Sequence, residues 1–184
     1  MRNDEETLDD LLHTYGRDIL HFIRFYTKNN NDAEDLTQEV FLRAFKNMAT
    51  FRQECDAKTW LLKIAVNVCR NFTRYQKRHP DLLVDTVPLI EMSLSAEAEA
   101  IKRLDAMDLM KRVYELPVKL KEVVLLHYFE DKSVSEIAAI LGVLESAVKV
   151  RLFRVRKRMN EGKEGIAHEA CPSAGQLKEL ATYR

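Results

Sequence analysis

The segment Ser133-Val-Ser-Glu136-Ile-Ala-Ala-Ile-Leu-Gly142-Val-Leu-Glu145-Ser-Ala-Val-Lys149-Val-Arg151-Leu-Phe-Arg154 holds two helix starts and one tight turn. Ser133 and Glu136 have the spacing of a capping box, in which the hydroxyl accepts the backbone N–H three residues on and the carboxylate reaches back to the cap. Ile137, Ala138 and Leu141 give a short helix its inward face, and Gly142 supplies the positive φ that a tight turn requires. A second helix is predicted to start near Glu145 with Ala147, Val148 and Leu152 inward. This is the pattern of a helix-turn-helix, whose second helix enters the DNA major groove.

Charge supports that partner. Lys149, Arg151, Arg154, Arg156, Lys157 and Arg158 spread over the solvent face and C-terminal end of the second helix, with Glu161 the lone acid. A merely solvated helix gains from cations at its C-terminus, but it normally mixes signs on its outer face.

The rest of the chain gives this basic run its context. The 184 residues carry 29 Lys+Arg and 29 Asp+Glu, and 46% are hydrophobic, ordinary for a soluble globular protein. The neutral sum conceals segregation: residues 51–80 hold 7 basic and 2 acidic side chains, and 149–163 hold 7 and 1, while 1–50 and 81–110 are net acidic. Two basic islands imply two separate anionic contacts. No apolar run reaches the roughly 20 residues of a membrane span, and the acidic start MRNDEETLDDLL is unlike a signal peptide, so the expectation is a cytoplasmic protein. Cys55, Cys69 and Cys171 form no CxxC pair, and His168 with Cys171 lacks a second pair, so neither a disulfide framework nor a metal or other cofactor is expected.

Only 5 Gly and 4 Pro occur, and they fall between periodic segments, which predicts an all-α chain. Leu8, Leu11, Leu12, Tyr15, Ile19, Phe22, Ile23 and Tyr26 form one amphipathic stripe. After Asn29-Asn30-Asn31, Asp32 begins a cap and acidic first turn, followed by Leu36, Val40, Phe41, Ala44 and Phe45 on one face. Leu61, Ile64, Ala65, Val68, Phe72 and Tyr75 form a third stripe. The expected organisation is a three-helix domain over 5–78, a flexible linker over 79–95, a helix-turn-helix domain over 96–161 and a disordered tail over 162–184. Leu116-Pro117 marks a break before a helix containing Val118, Val123, Val124, Leu126 and Phe129, and Glu130-Asp131 is expected to turn between helices.

The first basic island interleaves cations with aromatics. Trp60, Lys63, Asn67, Arg70, Asn71 and Arg74 step by three or four residues and share the face opposite the apolar stripe, an arrangement suited to phosphate contacts and base stacking.

The motifs together resemble the extracytoplasmic-function group of bacterial sigma factors. The resemblance rests on Asp32-Ala-Glu-Asp-Leu-Thr-Gln-Glu-Val-Phe-Leu-Arg-Ala-Phe45, Lys58-Thr-Trp-Leu-Leu-Lys-Ile-Ala-Val-Asn67, Leu116-Pro117, and the two helices of the helix-turn-helix, colinear from about residue 8 to 160. It implies two domains, called region 2 and region 4, and no enzymatic activity. Asp32, Glu34, Asp35, Gln38, Glu39 and Arg43 would meet the clamp helices of the β′ subunit of core RNA polymerase, and region 4 the β flap. Arg52, Lys58, Trp60, Lys63, Asn67, Arg70, Asn71 and Arg74 would melt the minus-ten promoter element and capture an extruded base. Glu145, Ser146, Lys149, Val150, Phe153 and Arg154 would face the bases of the minus-thirty-five element, with Arg151 and Arg158 nearer phosphates. The resemblance also implies silencing by a membrane-anchored anti-sigma protein. Two positions depart from the family pattern: Leu144 stands where a small capping residue is usual, and Val150 where Ser is usual.

Two other classes compete. A homodimeric helix-turn-helix regulator would use residues 1–78 for dimerisation or sensing, but leaves the basic-aromatic island unexplained. A helical nuclease would need a carboxylate cluster, and the sequence has neither that nor an HExxH or a phosphate loop.

Overall fold

The computed structural model describes residues 4–27, 30–48, 56–79 and 111–161, and its chain divides into two compact units, Met1–Leu89 and Ile90–Arg184. Among the described residues every regular element is helical. The expected linker beyond His79, the tail after 161, Arg52, Cys55, His168 and Cys171 lie outside the described residues.

The N-terminal unit contains α1 (Asp4–Arg24), α2 (Asn30–Lys46) and α3 (Ala57–Arg78), each packed on the other two. Their shared core holds Ile19, Phe22, Ile23, Ala33, Val40, Ala44, Leu61, Leu62, Ala65, Val66 and Cys69, all nearly or fully buried. Helix α3 starts on Asp56, whose side chain accepts the Thr59 backbone N–H at 2.8 Å as an N-cap.

Five expectations for these helices are corrected. Gly16, expected with the other glycines between periodic segments, lies inside α1. Helix α2 begins at Asn30, so Asp32 sits inside the first turn and acts through the helix dipole, not as the cap. Leu12, Phe45 and Tyr75, read as inward members of their stripes, are exposed. The buried arc of α3 is centred away from Tyr75, on Leu61, Leu62, Ala65, Val68 and Cys69, because α1 and α2 both lie against it and claim a wider sector than one stripe.

In the C-terminal unit a helical segment at 111–114 leads to α4 (Val118–Val124), α5 (Val134–Leu141) and α6 (Glu145–Glu161). Pro117 is the N-cap residue of α4, at the break expected there, and its carbonyl accepts from Leu120 and Lys121. The helix continues into a π-helical turn at Leu125–Phe129, closed by the Glu130 N–H on the Leu125 carbonyl at 3.0 Å. The expected turn follows, with Asp131 at φ 50 and His127 Nδ1 3.0 Å from the Lys132 carbonyl.

Candidate functional site

The helix-turn-helix is built by local chemistry. Ser133 Oγ accepts the Glu136 N–H at 3.2 Å, and Glu136 Oε2 accepts the Ser133 N–H at 2.8 Å, completing the capping box at the start of α5. The Ser133 hydroxyl, which donates to Glu136 Oε2 at 2.6 Å, and then the Ser133 N–H favour the ionised carboxylate and hold the Glu136 pKa below its usual value, with Lys132 adding a smaller charge contribution. Gly142 ends α5 in the left-handed conformation at φ 65, and the Val143 N–H returns to the Ala138 carbonyl at 3.0 Å. The Leu144 carbonyl then accepts from Ala147 and Val148, so Leu144 occupies the N-cap of α6 with a side chain that has no acceptor.

Val148, Leu152, Val155 and Met159 form the buried stripe of α6 against α4 and α5. Shifting that spacing back by two residues gives Ser146, Val150, Phe153 and Lys157, all exposed on the opposite side. Glu145, Lys149, Arg154 and Arg158 are exposed on the flanks of that ridge. Arg151 is partly buried, and its Nη1 is enclosed without a hydrogen-bond partner. Arg112 donates to the Met159 carbonyl, adding a cation where the α6 dipole is negative.

Helix α3 presents the second surface. Between Ala57 and Arg78 it contains six cations and no acid. Lys63, Asn67, Asn71 and Arg74 are exposed and Trp60 and Arg70 partly so, and at 100° per residue the six occupy an arc of about 100°. Arg74 Nη2 donates to Asn71 Oδ1 at 2.8 Å, fixing part of that face. Lys58 does not join it: it lies on the other side of the helix, with Nζ 2.6 Å from Asp18 Oδ2 of α1. Tyr75 borders the arc at 54% exposure, its ring 4.6 Å from that of His79. Periodicity alone assigns Tyr75 to the core; a phenol beside three basic residues near a helix end is the signal for the surface.

On α2, Glu34, Asp35 and Gln38 are exposed, Asp32 and Glu39 partly so, and Arg43 Nε donates to Glu39 Oε1 at 2.6 Å. Leu42 and Phe45 stand exposed beside Gln38, two apolar side chains that the candidate set omitted. Their positions one and two turns beyond Gln38 put them on its side of the helix, although periodicity alone assigns Phe45 to the core.

A Sigma-70 region 2 family model matches residues 11–79, and a Sigma-70 region 4 model matches residues 106–159. The chain belongs to the sigma-70 family. Its similarity lies with the extracytoplasmic-function (ECF) sigma factors of that family. It is 32% identical over 145 residues to the RNA polymerase sigma factor SigV of Bacillus subtilis, covering 79% of this chain and 84% of that protein. It is 30% identical over 174 residues to the ECF RNA polymerase sigma-E factor of Haemophilus influenzae, covering 85% and 87%. Among solved structures, the sigma factor RpoE of Bartonella quintana, crystallised with the anti-sigma factor NepR, has the same fold with a TM-score of 0.71 at 21% identity, covering 85% of this chain and 96% of that one. CnrH, solved with the cytosolic domain of CnrY, gives 0.63 at 20%, covering 89% and 91%. The region 2 match falls on α1–α3 and the region 4 match includes the helix-turn-helix, and the role of the family is that of an RNA polymerase sigma factor. No helix among the described residues is long and apolar enough to cross a membrane.

Proposed function

We propose that this sigma factor directs promoter-specific initiation by binding core RNA polymerase through α2, opening and capturing the minus-ten element with α3, and reading the minus-thirty-five element with α6. The observation that carries the reading is the segregation of charge onto two outward helix faces in separate units. Apart from Lys58, which Asp18 of α1 engages, helix α3 has five cations and no acid, and α6 has six cations, with acids only at its two ends.

The two faces differ in the chemistry they offer. Breaking duplex steps costs about 1–2 kcal/mol each, so a strand-opening surface must return that energy through stacking and polar contacts to unpaired bases. Trp60, Asn67 and Asn71 supply such groups, while Lys63, Arg70 and Arg74 neutralise phosphates. Tyr75 extends the same surface. Helix α6 presents a ridge narrow enough for a major groove, flanked by cations that set its register on the phosphates.

On α2 the acidic first turn, Gln38, Leu42 and Phe45 combine charge with exposed apolar area, a composition suited to a protein partner with a basic rim. The β′ clamp helices of the polymerase are that partner, and region 4 meets the β flap. An anti-sigma protein anchored in the membrane would act by covering the same surfaces. The factor works in the cytoplasm and performs no chemistry itself.

Permanganate reactivity of unpaired thymines on a promoter, with reconstituted holoenzyme, tests this division of labour. Trp60→Ala should reduce strand opening more than binding to the closed duplex. Equal loss in both assays would place Trp60 in the core and remove α3 as the capturing surface.

A further inference from the structure

The outward ridge of α6 is unusual in being apolar at its centre. Ser146, Val150, Phe153 and Lys157 lie directly opposite the buried stripe, and Val150 and Phe153 are 48% and 66% exposed. Neither ring nor isopropyl group serves the core, which Val148, Leu152, Val155 and Met159 fill from the other side. Polar and cationic side chains surround the pair: Ser146 one turn before, Lys149 and Arg154 on either flank, and Lys157 one turn after.

In a major groove, donors and acceptors line every base pair edge, and the one apolar feature is the 5-methyl group of thymine. Valine has no donor or acceptor. Placed against the amino group of adenine or cytosine, or the N7 and O6 of guanine, it strips water from a polar atom and returns nothing. Placed against a thymine methyl, it removes apolar area from water on both partners. Its β-branched side chain also holds essentially one rotamer in a helix, so the contact requires little ordering.

We propose that Val150 selects a thymine in the minus-thirty-five element by packing on its 5-methyl group, with Phe153 extending the same apolar surface along the groove. The proposal rests on the assignment of α6 as the groove-reading helix and adds the identity of a base that it favours. Selection works in two directions, attraction to the methyl and exclusion of unpaired polar edges.

The test uses full-length protein assembled with core polymerase and a duplex that this holoenzyme selects from a randomised pool. Each thymine in the protected upstream element is replaced singly by deoxyuridine, which removes the methyl and leaves the hydrogen-bonding edge intact. At one position the replacement should weaken binding about fourfold, the ratio expected from burying one methyl-sized group. Val150→Ala and Val150→Ser should bind the thymine and uracil duplexes equally. Val150→Thr, which keeps one methyl and the shape of the side chain, should retain part of the difference. Placing 5-methylcytosine at a cytosine substituted for that thymine should recover part of the lost binding in the wild type alone. The proposal is overturned if no thymine is methyl-sensitive, or if the sensitivity survives unchanged in Val150→Ala. Failure of the holoenzyme to protect any upstream element is a distinct result, and removes the groove-reading assignment together with the inference built on it.

Discussion

Lys58 Nζ lies 2.6 Å from Asp18 Oδ2, an ion pair four-fifths enclosed that ties the first turn of α3 to the middle of α1. The carboxylate and ammonium are close enough to hydrogen bond, and their partial burial reduces screening by solvent. Lys58 is therefore spent inside its unit. Lys58→Gln should destabilise the full chain by about 1–3 kcal/mol in denaturant unfolding, because it leaves Asp18 enclosed without its cation. The salt dependence of promoter binding should not change, whereas Lys63→Gln should lower that slope by about one counterion and leave stability nearly unaltered.

The two helices of the helix-turn-helix are capped unequally. Ser133 closes a full capping box, while Leu144 sits at the N-cap of α6 at 77% exposure with no side-chain acceptor. Ser133→Ala should cost about 1 kcal/mol, and Leu144→Ser should gain about 0.5–1 kcal/mol, both read from chemical denaturation. A destabilised Leu144→Ser variant would show that the leucine packs in a way that its exposure denies.

Two groups in the C-terminal unit make stability rise with pH, in two separate windows. Glu136 is held below its ordinary value of 4.5 by the Ser133 hydrogen bonds, so its contribution is complete above that value and disappears as pH falls through the lower, folded-state pKa. Glu136→Gln, which still fills the box, should flatten the acid limb of the stability curve. Burial lowers the Lys121 pKa from 10.5 to about 8, so between those values the unfolded chain holds a proton that the folded chain has released. Stability supplied by this group rises with pH across that window. Lys121→Met should remove the rise and stabilise the protein by at least about 1 kcal/mol at neutral pH, less whatever the ammonium gains 5.5 Å from the Tyr114 ring centroid. Thermal or denaturant unfolding from pH 3 to 10.5 checks both limbs.

The exposed apolar pair on α2 should matter for core polymerase and not for folding. Leu42→Asp and Phe45→Asp are each expected to weaken co-migration with core polymerase tenfold or more, while the helical circular dichroism signal and unfolding midpoint change little. Arg43→Ala should have a smaller effect, since its guanidinium is already engaged with Glu39 within one helix.

Helix existence and the helix-turn-helix were legible because each rested on local chemistry: capping at Ser133, left-handed Gly142, and sustained apolar periodicity. What periodicity does not give is the width of the buried sector, which depends on how many neighbours a helix has. Tyr75 and Phe45 fall on the edges of their stripes, and the placement of the other two helices decides that they face outward. Lys58 shows the same limit in charge, since one cation in a basic island was paired with an acid 40 residues earlier. The π-helical turn at Leu125–Phe129 has no signature in residue spacing, because apolar residues fill nearly every position there and hide the change of period.

The most direct test of the account is transcription by core RNA polymerase reconstituted with this protein on a promoter mapped from start sites that appear when the protein is overproduced. The expected result is run-off transcript from that start site only when the protein is present, lost when both basic faces are neutralised at Arg70, Arg74, Lys149 and Arg154. A protein that binds the promoter as a dimer without core, or fails to co-migrate with core and supports no initiation from that site, would contradict it.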